Sequence, residues 1–463
     1  MFSTNLKNKA IDVVNISDLA TPFLAFSINL APYGGRPNSV DARDGVVAGA
    51  LDGPVKTDPG SVAFFSSNGQ LLSRVTVGPQ PDMVTFTPDG NKVLVAHEGE
   101  PSDDYTVDPE GSISIIDVSG GAASVTPANV RSADFRAFNR DNIDPRIRVF
   151  GPRATVPQDL EPEYIAVSPD SKTAYVSLQE ANAIAVVDID TATVTRLIAL
   201  GFKDHLLPGN GLDASDRDGG VNIRNWPLLG MYQPDAIAAY EVGGKRYLVT
   251  VNEGDSRAYA GYNEETRVAS LKLDPAAFPE ADLLKLPNAL GRLRVTKANG
   301  DANGDGLYEK IYVFGARSFS IWSDQGTPVF DSGDQLEQIT AAAYPDTFNS
   351  DHRTNLSAEA RSPNKGPEPE GLAVGHVGGR WYAFICFERI GGVIIYDITD
   401  PAQPRFVQYL NNRNFYLSPK SGTAGDLGPE IVRFVKEQDS PNGKPLLLVA
   451  NEVSGTVSIY QVQ

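Results

Sequence analysis

Several features that commonly define an active site are absent from this chain. It contains one cysteine, Cys386, so an internal disulfide framework is excluded. No apolar run approaches the ~20 residues that a membrane-spanning helix needs. No nucleophile elbow, Walker loop, His-Glu-x-x-His or Cys-x-x-Cys motif occurs. These absences leave metal-assisted chemistry as the main enzymatic route.

Basic residues are few relative to acidic ones. There are 40 Lys and Arg against 58 Asp and Glu, and the formal net charge is −18. Phosphate backbones are bound through basic patches, so nucleic acid is not an expected partner. The charge balance suits cations instead. We expect a monomer rather than an oligomer, with a small phosphorylated substrate or a surface partner.

The chain contains a repeated motif, here called the Pro-acid motif, in which a Pro and an acidic residue begin one strand and a second strand ends on an acidic residue. One supersecondary unit is therefore used many times. The copies run from Pro81-Asp82 to His97-Glu98, Pro162-Glu163 to Gln179-Glu180, Pro234-Asp235 to Asn252-Glu253, Pro369-Glu370 to Phe387-Glu388, and Pro429-Glu430 to Asn451-Glu452.

Each unit adds a third strand ending in Asp and a more variable fourth strand, which predicts a four-stranded antiparallel blade. The sequence predicts one all-β domain over residues 1–463, a β-propeller with blades around a central channel. Units beginning near Asn38, Pro81, Pro162, Pro234, Lys310, Pro369 and Pro429 give seven blades, with eight as the alternative. The N-terminal blade is incomplete, and we expect pairing of the chain ends to close the ring.

Three stretches, 128–160, 200–232 and 340–368, are polar and loop-like, with a short helix predicted over Leu336–Ala343. In a propeller these loops would lie over the mouth that gathers the repeated carboxylates. That mouth is the predicted cation site. The candidate ligands are Glu98, Glu100, Asp103, Glu163, Glu253, Asp255, Glu370, Glu388, Glu430 and Glu452.

The sharpest local motif is an acidic loop with Asp301, Asn303 and Asp305 at alternate positions. Gly306 permits a sharp turn, the Leu307 carbonyl follows, and Glu309 can supply a third carboxylate. This spacing of oxygen ligands is typical of a calcium loop. A strand follows where an EF-hand would have a helix, so the motif predicts calcium binding without an EF-hand.

Cationic side chains accompany the predicted mouth, at Arg257, Arg317, Arg389 and Lys365. Arg binds phosphate oxygens through two parallel hydrogen bonds while divalent cations neutralise the remaining charge, so the set suits a phosphate ester. Simple ion pairing with neighbouring glutamates is the alternative.

The chain resembles the choice-of-anchor I proteins, and through them the C-terminal region of the atypical cyanobacterial alkaline phosphatases. The segments that carry the resemblance are Pro37–Val40, the acidic loop, Phe314–Trp322, Val329–Asp334, Lys365–Gly371 and Gly391–Asp397. The resemblance implies an extracellular or periplasmic, calcium-containing propeller with a phosphatase or phytase-like activity, although no signal peptide is visible. Propeller phosphatases of the calcium–iron type use a cysteine ligand. Cys386 lies two residues before Glu388 but on the wrong strand parity, so the resemblance leaves a second divalent ion or iron at the mouth open.

Two functions follow from these observations. In the first, carboxylates hold divalent metals while Arg257, Arg317, Arg389 and Glu370 act in phosphate-ester hydrolysis. In the second, the protein is a non-catalytic cell-surface or matrix binding module that calcium stabilises. Fold alone cannot choose between them.

Overall fold

The structure, a computed structural model, describes residues 1–463, and its regular secondary structure is mostly strand. It has three α-helices: α1 (Val156–Asp159), α2 (Ala281–Leu284) and α3 (Gln335–Ala343). The helix predicted over Leu336–Ala343 is therefore confirmed by α3. No helix combines the length and the apolar character needed to cross a membrane.

The chain divides into two compact units. The first comprises residues 1–199 and 259–262, and the second comprises residues 200–258 and 263–463.

The first unit contains four antiparallel sheets, one of three strands and three of four strands. Their orders are β1-β2-β3, β4-β5-β6-β7, β11-β10-β9-β8 and β12-β13-β14-β15. The strands are β1 (Phe2–Asn5), β2 (Ala10–Asn15), β3 (Phe23–Asn29), β4 (Pro37–Arg43), β5 (Val46–Leu51), β6 (Pro59–Ser66), β7 (Leu71–Pro79), β8 (Pro81–Phe86), β9 (Lys92–His97), β10 (Ser112–Asp117), β11 (Val130–Asp134), β12 (Pro162–Val167), β13 (Thr173–Leu178), β14 (Ala183–Asp188) and β15 (Thr193–Ala199).

The second unit contains five sheets, with orders β16-β17-β22, β18-β19-β23-β24, β20-β21, β25-β26-β27-β28 and β29-β30-β31. The strands are β16 (Phe202–Asp204), β17 (Leu229–Met231), β18 (Ile237–Val242), β19 (Lys245–Asn252), β20 (Glu265–Arg267), β21 (Arg294–Thr296), β22 (Tyr312–Val313), β23 (Ser318–Ser323), β24 (Pro328–Asp331), β25 (Pro369–Val377), β26 (Arg380–Phe387), β27 (Val393–Asp397), β28 (Arg405–Leu410), β29 (Pro429–Val435), β30 (Leu446–Asn451) and β31 (Thr456–Gln461).

The repeated Pro-acid motif has a defined backbone conformation. In β8, β12, β25 and β29 the pairing register shifts directly after the leading proline, which is where the acidic residue stands. Proline lacks a backbone N–H, so within a sheet it is found at the first residue of a strand or at a bulge, where no ladder hydrogen bond is lost. A bulge changes the direction of the side chain at the bulged residue, so these carboxylates point differently from side chains in a regular strand.

Apolar side chains of neighbouring sheets pack into shared cores. In the first unit, Leu94 and Ile115 of one sheet join Val176 and Val187 of the next in a single cluster, and each is at most 1% exposed. Burying such a side chain contributes about 1.5–3 kcal/mol. These shared clusters hold neighbouring sheets of the unit together.

The predicted four-stranded antiparallel unit is confirmed, and it occurs five times among nine sheets. The sequence counted Pro234 and Lys310 as the starts of two units. In the structure β18 and β19 pair with β23 and β24, so one sheet spans both. The segment between β19 and β23 forms two small sheets that the sequence pattern did not predict. The first and last strands of the chain belong to separate three-stranded sheets rather than to one shared sheet.

Candidate functional site

Three glutamates of the second unit converge at the ends of repeated strands. Glu253 directly follows β19, Glu370 stands at the bulge of β25, and Glu388 directly follows β26. One oxygen of each carboxylate lies within 4.8 Å of the others. We call Glu253, Glu370 and Glu388 the glutamate triad. The sequence placed all three at the same two positions of the repeat, and the fold brings them together.

The triad has the electrostatic character of a cation site. Burial raises the pKa of Glu388 to about 8, and the nearby Glu368 and Glu253 add to the effect. Burial and the charges of Glu388 and Glu253 raise the pKa of Glu370 well above its usual value. Glu370 Oε2 is buried and has no hydrogen-bond partner. A hard divalent cation is the ligand that such crowded carboxylate oxygens fit.

Beside the triad, Glu368 collects three cations. Its side chain is fully buried, and Arg361 Nε donates to its Oε1 at 2.8 Å while Arg389 Nε donates to its Oε2 at 2.9 Å. Lys365 Nζ lies 3.2 Å from the same Oε2. Burial alone would raise the pKa of Glu368, but Lys365, Arg361 and Arg389 together hold it below its usual value. We call this group the Glu368 hub.

The cations of the hub face a small cavity of about 240 Å³. The cavity is lined by Asp255, Ser256, Glu265, Arg294, Phe314, Arg361, Asn364, Lys365 and Arg389. Four of these nine side chains are cationic. Arg294 pairs with Glu265 at 2.7 Å, whereas the other three share Glu368. Charged hydrogen-bond donors that converge on one cavity favour a small oxyanion as the ligand.

Two of the cavity cations also contact the triad. Lys365 Nζ donates a hydrogen bond to Glu253 Oε1, and Arg389 Nε lies 3.0 Å from Glu388 Oε2. Burial lowers the pKa of Lys365, but Glu253 and Glu368 outweigh this effect and raise the pKa well above its usual value. The cavity and the triad are therefore two halves of one charged site.

His352 completes the site behind Arg389. It is fully buried, its Nδ1 lies 3.5 Å from Glu388 Oε1, and Arg389 contacts its ring nitrogens at 3.0 and 3.1 Å. Burial, then the charge of Arg389, lowers its pKa to about 4. The imidazole is thus neutral at pH 7 and supports the orientation of Arg389.

The two other arginines of the predicted set are both buried. Arg317 is 3% exposed and donates to Glu337 Oε1 at 2.7 Å. Its other donors contact the backbone carbonyls of Asp213, Ser362 and Asn364, each at 2.7 Å. Arg257 is 1% exposed, and its backbone N–H donates to Glu264. Neither lines the cavity. The cavity lining contains Lys365, which the sequence also offered, and Arg361, which lies four residues before it.

The predicted calcium loop is organised around its carboxylates. Asp301, Asp305 and Glu309 each offer an oxygen within 4.8 Å of the others. Asp301 accepts from the N–H of Gly304 at 2.8 Å and of Gly306 at 2.9 Å, and Leu307 N–H donates to Asp305 at 2.8 Å. Asn303 is tied to both Asp305 and Glu309. The loop is exposed and rich in oxygen, so its donor set fits calcium.

The remaining predicted ligands are not members of the triad. Glu98, Glu100 and Asp103 belong to the first unit, where Gln80 bridges Glu98 and Glu100, and Lys56 lies 3.1 Å from Glu100 and 3.8 Å from Asp103. Glu163 lies in β12 of the same unit. Glu430, in β29, adds to the raised pKa of Glu370. Asp255 lines the cavity, and Glu452 is half-exposed in an ion pair with Arg353.

A third acidic group, Asp213, Asp218 and Glu359, was not predicted. Their oxygens also lie within 4.8 Å of one another, and burial raises the pKa of Asp213 to about 7. The acid-rich stretch 213–218 was visible in the sequence, but Glu359 lies 141 residues beyond Asp218 and joins it only through folding.

These features define a class of all-β proteins built from repeated antiparallel sheets whose inner strands carry acidic residues. The sequence profile of the Choice-of-anchor I domain matches residues 1–401, so the chain belongs to the choice-of-anchor I family.

Two curated relatives match parts of the chain. Gigasin-3a of Magallana gigas is 32% identical over 190 residues, which are 38% of this chain and 65% of the relative. Mesenchyme-specific cell surface glycoprotein of Strongylocentrotus purpuratus is 29% identical over 282 residues, which are 53% of this chain and 35% of the relative. The chain thus spans less than two thirds of the length of either relative.

Solved structures give weaker likenesses. A putative 6-phosphogluconolactonase from Bacteroides fragilis aligns with a TM-score of 0.47 and 12% identity, covering 100% of this chain and 90% of that chain. A periplasmic gluconolactonase of Pseudomonas aeruginosa gives 0.45 and 14%, covering 100% and 94%. At these scores the likeness carries no argument about activity.

Proposed function

We propose that the second unit carries a metal-dependent phosphate-ester hydrolase. The observation that carries this proposal is that Lys365 and Arg389 contact the glutamate triad on one side and line the cationic cavity on the other. A divalent cation and an oxyanion can therefore be held side by side.

Two groups of residues have separate roles in the proposed site, one binding the cation and the other binding the phosphate. Glu253, Glu370 and Glu388 would hold the cation, which when bound would supply Lewis acidity and activate water. Arg361, Lys365 and Arg389 would bind the phosphate oxygens and stabilise the charge that develops in the transition state. Glu368 keeps these three cations fixed, so no reorganisation is needed when the ester binds. His352 limits the movement of Arg389.

Phosphate suits the cavity better than a carboxylate because three separate cations converge there. A phosphate monoester carries close to two negative charges and three terminal oxygens at pH 7, so it can use all three. A monoanionic carboxylate has only two oxygens and would leave part of the cationic set without a ligand.

Hydrolysis of p-nitrophenyl phosphate tests the proposal. We expect turnover that needs added calcium, magnesium, zinc or iron and is lost after EDTA. Glu370→Gln should reduce kcat by roughly 100-fold or more, because it removes a charged ligand. The matched control is Asp305→Asn, which changes an acidic residue of the calcium loop and should leave turnover intact. Absence of turnover with every metal, in protein that is folded by circular dichroism, would reject the proposal.

A second function is favoured by a different observation. The calcium loop is exposed and lies outside the charged cavity, so calcium there would serve stability rather than chemistry. One relative is a mesenchyme-specific cell surface glycoprotein. A non-catalytic surface or matrix module stabilised by calcium is therefore the alternative. Metal-dependent thermal stabilisation without any hydrolysis would support it.

We also propose an extracellular or periplasmic location, a monomeric state, an arrangement of the sheets as seven blades around a channel, and likeness to the cyanobacterial phosphatases. An iron ion held by Cys386 has no structural support, because the thiol packs within the apolar cluster that contains Phe384 and Val393. Any second metal would be held by carboxylates.

A further inference from the structure

A second cavity of the second unit differs in character from the charged site. Its volume is about 490 Å³, within the range of about 300–1,000 Å³ typical of ligand pockets. It is lined by Ala343, Tyr344, Pro345, Asp346, Thr347, Asn412, Arg413, Asn414, Phe415 and Tyr416. Three aromatic rings thus stand among short polar side chains. Neither the sequence nor the proposed hydrolase assigns it a role.

Two of the rings form a rigid wall. Tyr344 and Phe415 have ring centroids 5.2 Å apart, and Tyr409 packs edge-on against Tyr344 at 5.9 Å. The Tyr344 hydroxyl donates to the carbonyl of Asn411 at 3.2 Å, which fixes the ring in its plane. A ligand would therefore meet a surface that is already ordered, and little entropy would be lost on binding.

The third ring is open to solvent. Tyr416 is 68% exposed, more than the exposed rings of Phe23, Phe26 and Phe406. Its backbone N–H donates to Asn414 Oδ1 at 3.0 Å, so the loop that carries it is braced. An exposed tyrosine presents an apolar face and a polar hydroxyl together.

The polar groups offer uncharged or negative partners. Asn412 and Asn414 are exposed, and Asp346 is an exposed carboxylate at the rim. Arg413 is the only cation in the lining, and it is 8% exposed. Its guanidinium donates to the carbonyls of Arg389 and Asp351 and lies over the Phe415 ring at 4.5 Å. Because its donors are committed to backbone carbonyls, the cavity has no free cation for an acidic ligand.

We propose that this cavity binds a neutral oligosaccharide. A pyranose has apolar C–H faces that pack on aromatic rings, and hydroxyl groups that exchange hydrogen bonds with amides and carboxylates. The combination of Tyr344, Tyr416, Asn412, Asn414 and Asp346 offers both kinds of contact within one cavity. An acidic saccharide is disfavoured by Asp346 and by the −18 net charge of the chain.

Isothermal titration with soluble cello- and chito-oligosaccharides tests the proposal on the full chain. We expect binding of at least one series by the wild-type protein. Tyr416→Ala should weaken binding by roughly tenfold, since stacking on the ring is lost. Tyr416→Phe, which keeps the ring, should bind within about threefold of the wild type. Phe406→Ala removes another exposed ring, on β28 away from the cavity, and should not change binding.

Three outcomes would overturn the proposal. They are absence of binding to both series, binding that Tyr416→Ala leaves unchanged, and binding confined to acidic polysaccharides such as heparin. If Tyr416→Ala proved unfolded, loss of binding in Asn414→Ala with retained melting temperature would still place the saccharide in this cavity. Because none of these residues lines the charged site, hydrolysis of a phosphate ester should be unaffected in each variant.

Discussion

Arg389 Nε lies 3.0 Å from Glu388 Oε2 and donates to Glu368 Oε2 at 2.9 Å, so one guanidinium joins the glutamate triad to the Glu368 hub. Burial lowers the pKa of Arg389, but the charges of Glu368 and Glu388 outweigh this effect and raise it. Arg389 is thus permanently charged, and its position decides how a cation and an anion could be held together.

The triad should make the metal-free protein less stable as pH rises. The pKa of Glu388 is about 8 in the folded state against 4.5 without the fold, so between these values the folded protein binds more protons than the unfolded one. Burial also lowers the pKa of His97 to about 3 and the pKa of His352 to about 4, so these groups add stability as pH rises to about 6.5, and the test begins above that range. The free energy of unfolding in EDTA should therefore fall by about 1–3 kcal/mol from pH 7 to pH 9. Urea titrations measure this, and Glu388→Gln should flatten the fall. A stability that rises over this range would contradict the assignment.

Removing the negative charge of Glu368 should strongly lower the free energy of unfolding. Glu368→Gln leaves Arg361, Lys365 and Arg389 crowded together without their shared buried partner. We expect a loss of about 3–5 kcal/mol in the free energy of unfolding, measured by urea titration. Glu265→Gln provides the control, because its partner Arg294 is 39% exposed and such a pair contributes about 0–1 kcal/mol. Equal losses in the two variants would show that the hub has no special role.

Calcium should stabilise the protein through its exposed loop. At a concentration of 100 times the dissociation constant, calcium binding adds about 2.7 kcal/mol, which appears as a higher melting temperature. Asp305→Asn should remove most of that rise. Asp400→Asn is the matched control, since Asp400 also accepts a turn hydrogen bond, from Ala402 N–H at 3.0 Å, but lies in none of the acidic groups. If Asp305→Asn keeps the full rise, the ion binds elsewhere.

Cys386 should be unreactive in the folded protein. Its side chain is fully buried, and burial raises the pKa of the thiol, so almost no thiolate exists at pH 8. We expect no reaction with a disulfide reagent in native buffer and one thiol per chain in urea. Rapid labelling of the native protein would show that the strand β26 opens readily.

Arg317 should behave as a structural residue. Because its guanidinium is buried against Glu337 and three carbonyls, Arg317→Lys should lower the free energy of unfolding by about 3–5 kcal/mol. At temperatures where the variant stays folded, KM for a phosphate ester should be unchanged. Arg361→Lys, in the cavity wall, should instead raise KM. A raised KM in Arg317→Lys alone would place that residue in the binding site.

Much of this protein was determined by local sequence pattern. The alternation of apolar residues predicts the strands. The Pro-acid motif stands at the bulges of β8, β12, β25 and β29. The spacing of Asp301, Asn303 and Asp305 predicts the acidic loop. Each of these signals lies within a short stretch of chain, because strand pairing, bulges and turns depend on neighbouring residues.

What the tertiary structure decided is which charges meet. The sequence offered Arg257, Arg317, Arg389 and Lys365 as candidates, yet of these only Arg389 and Lys365 line the cavity, and Arg361 joins them. The pairing of β19 with β23 across a long insertion, and the meeting of Asp213 with Glu359, also depend on contacts between distant segments. Whether a buried charge is structural or functional depends on which partners surround it after folding, and that information is not contained in the spacing of residues along the chain.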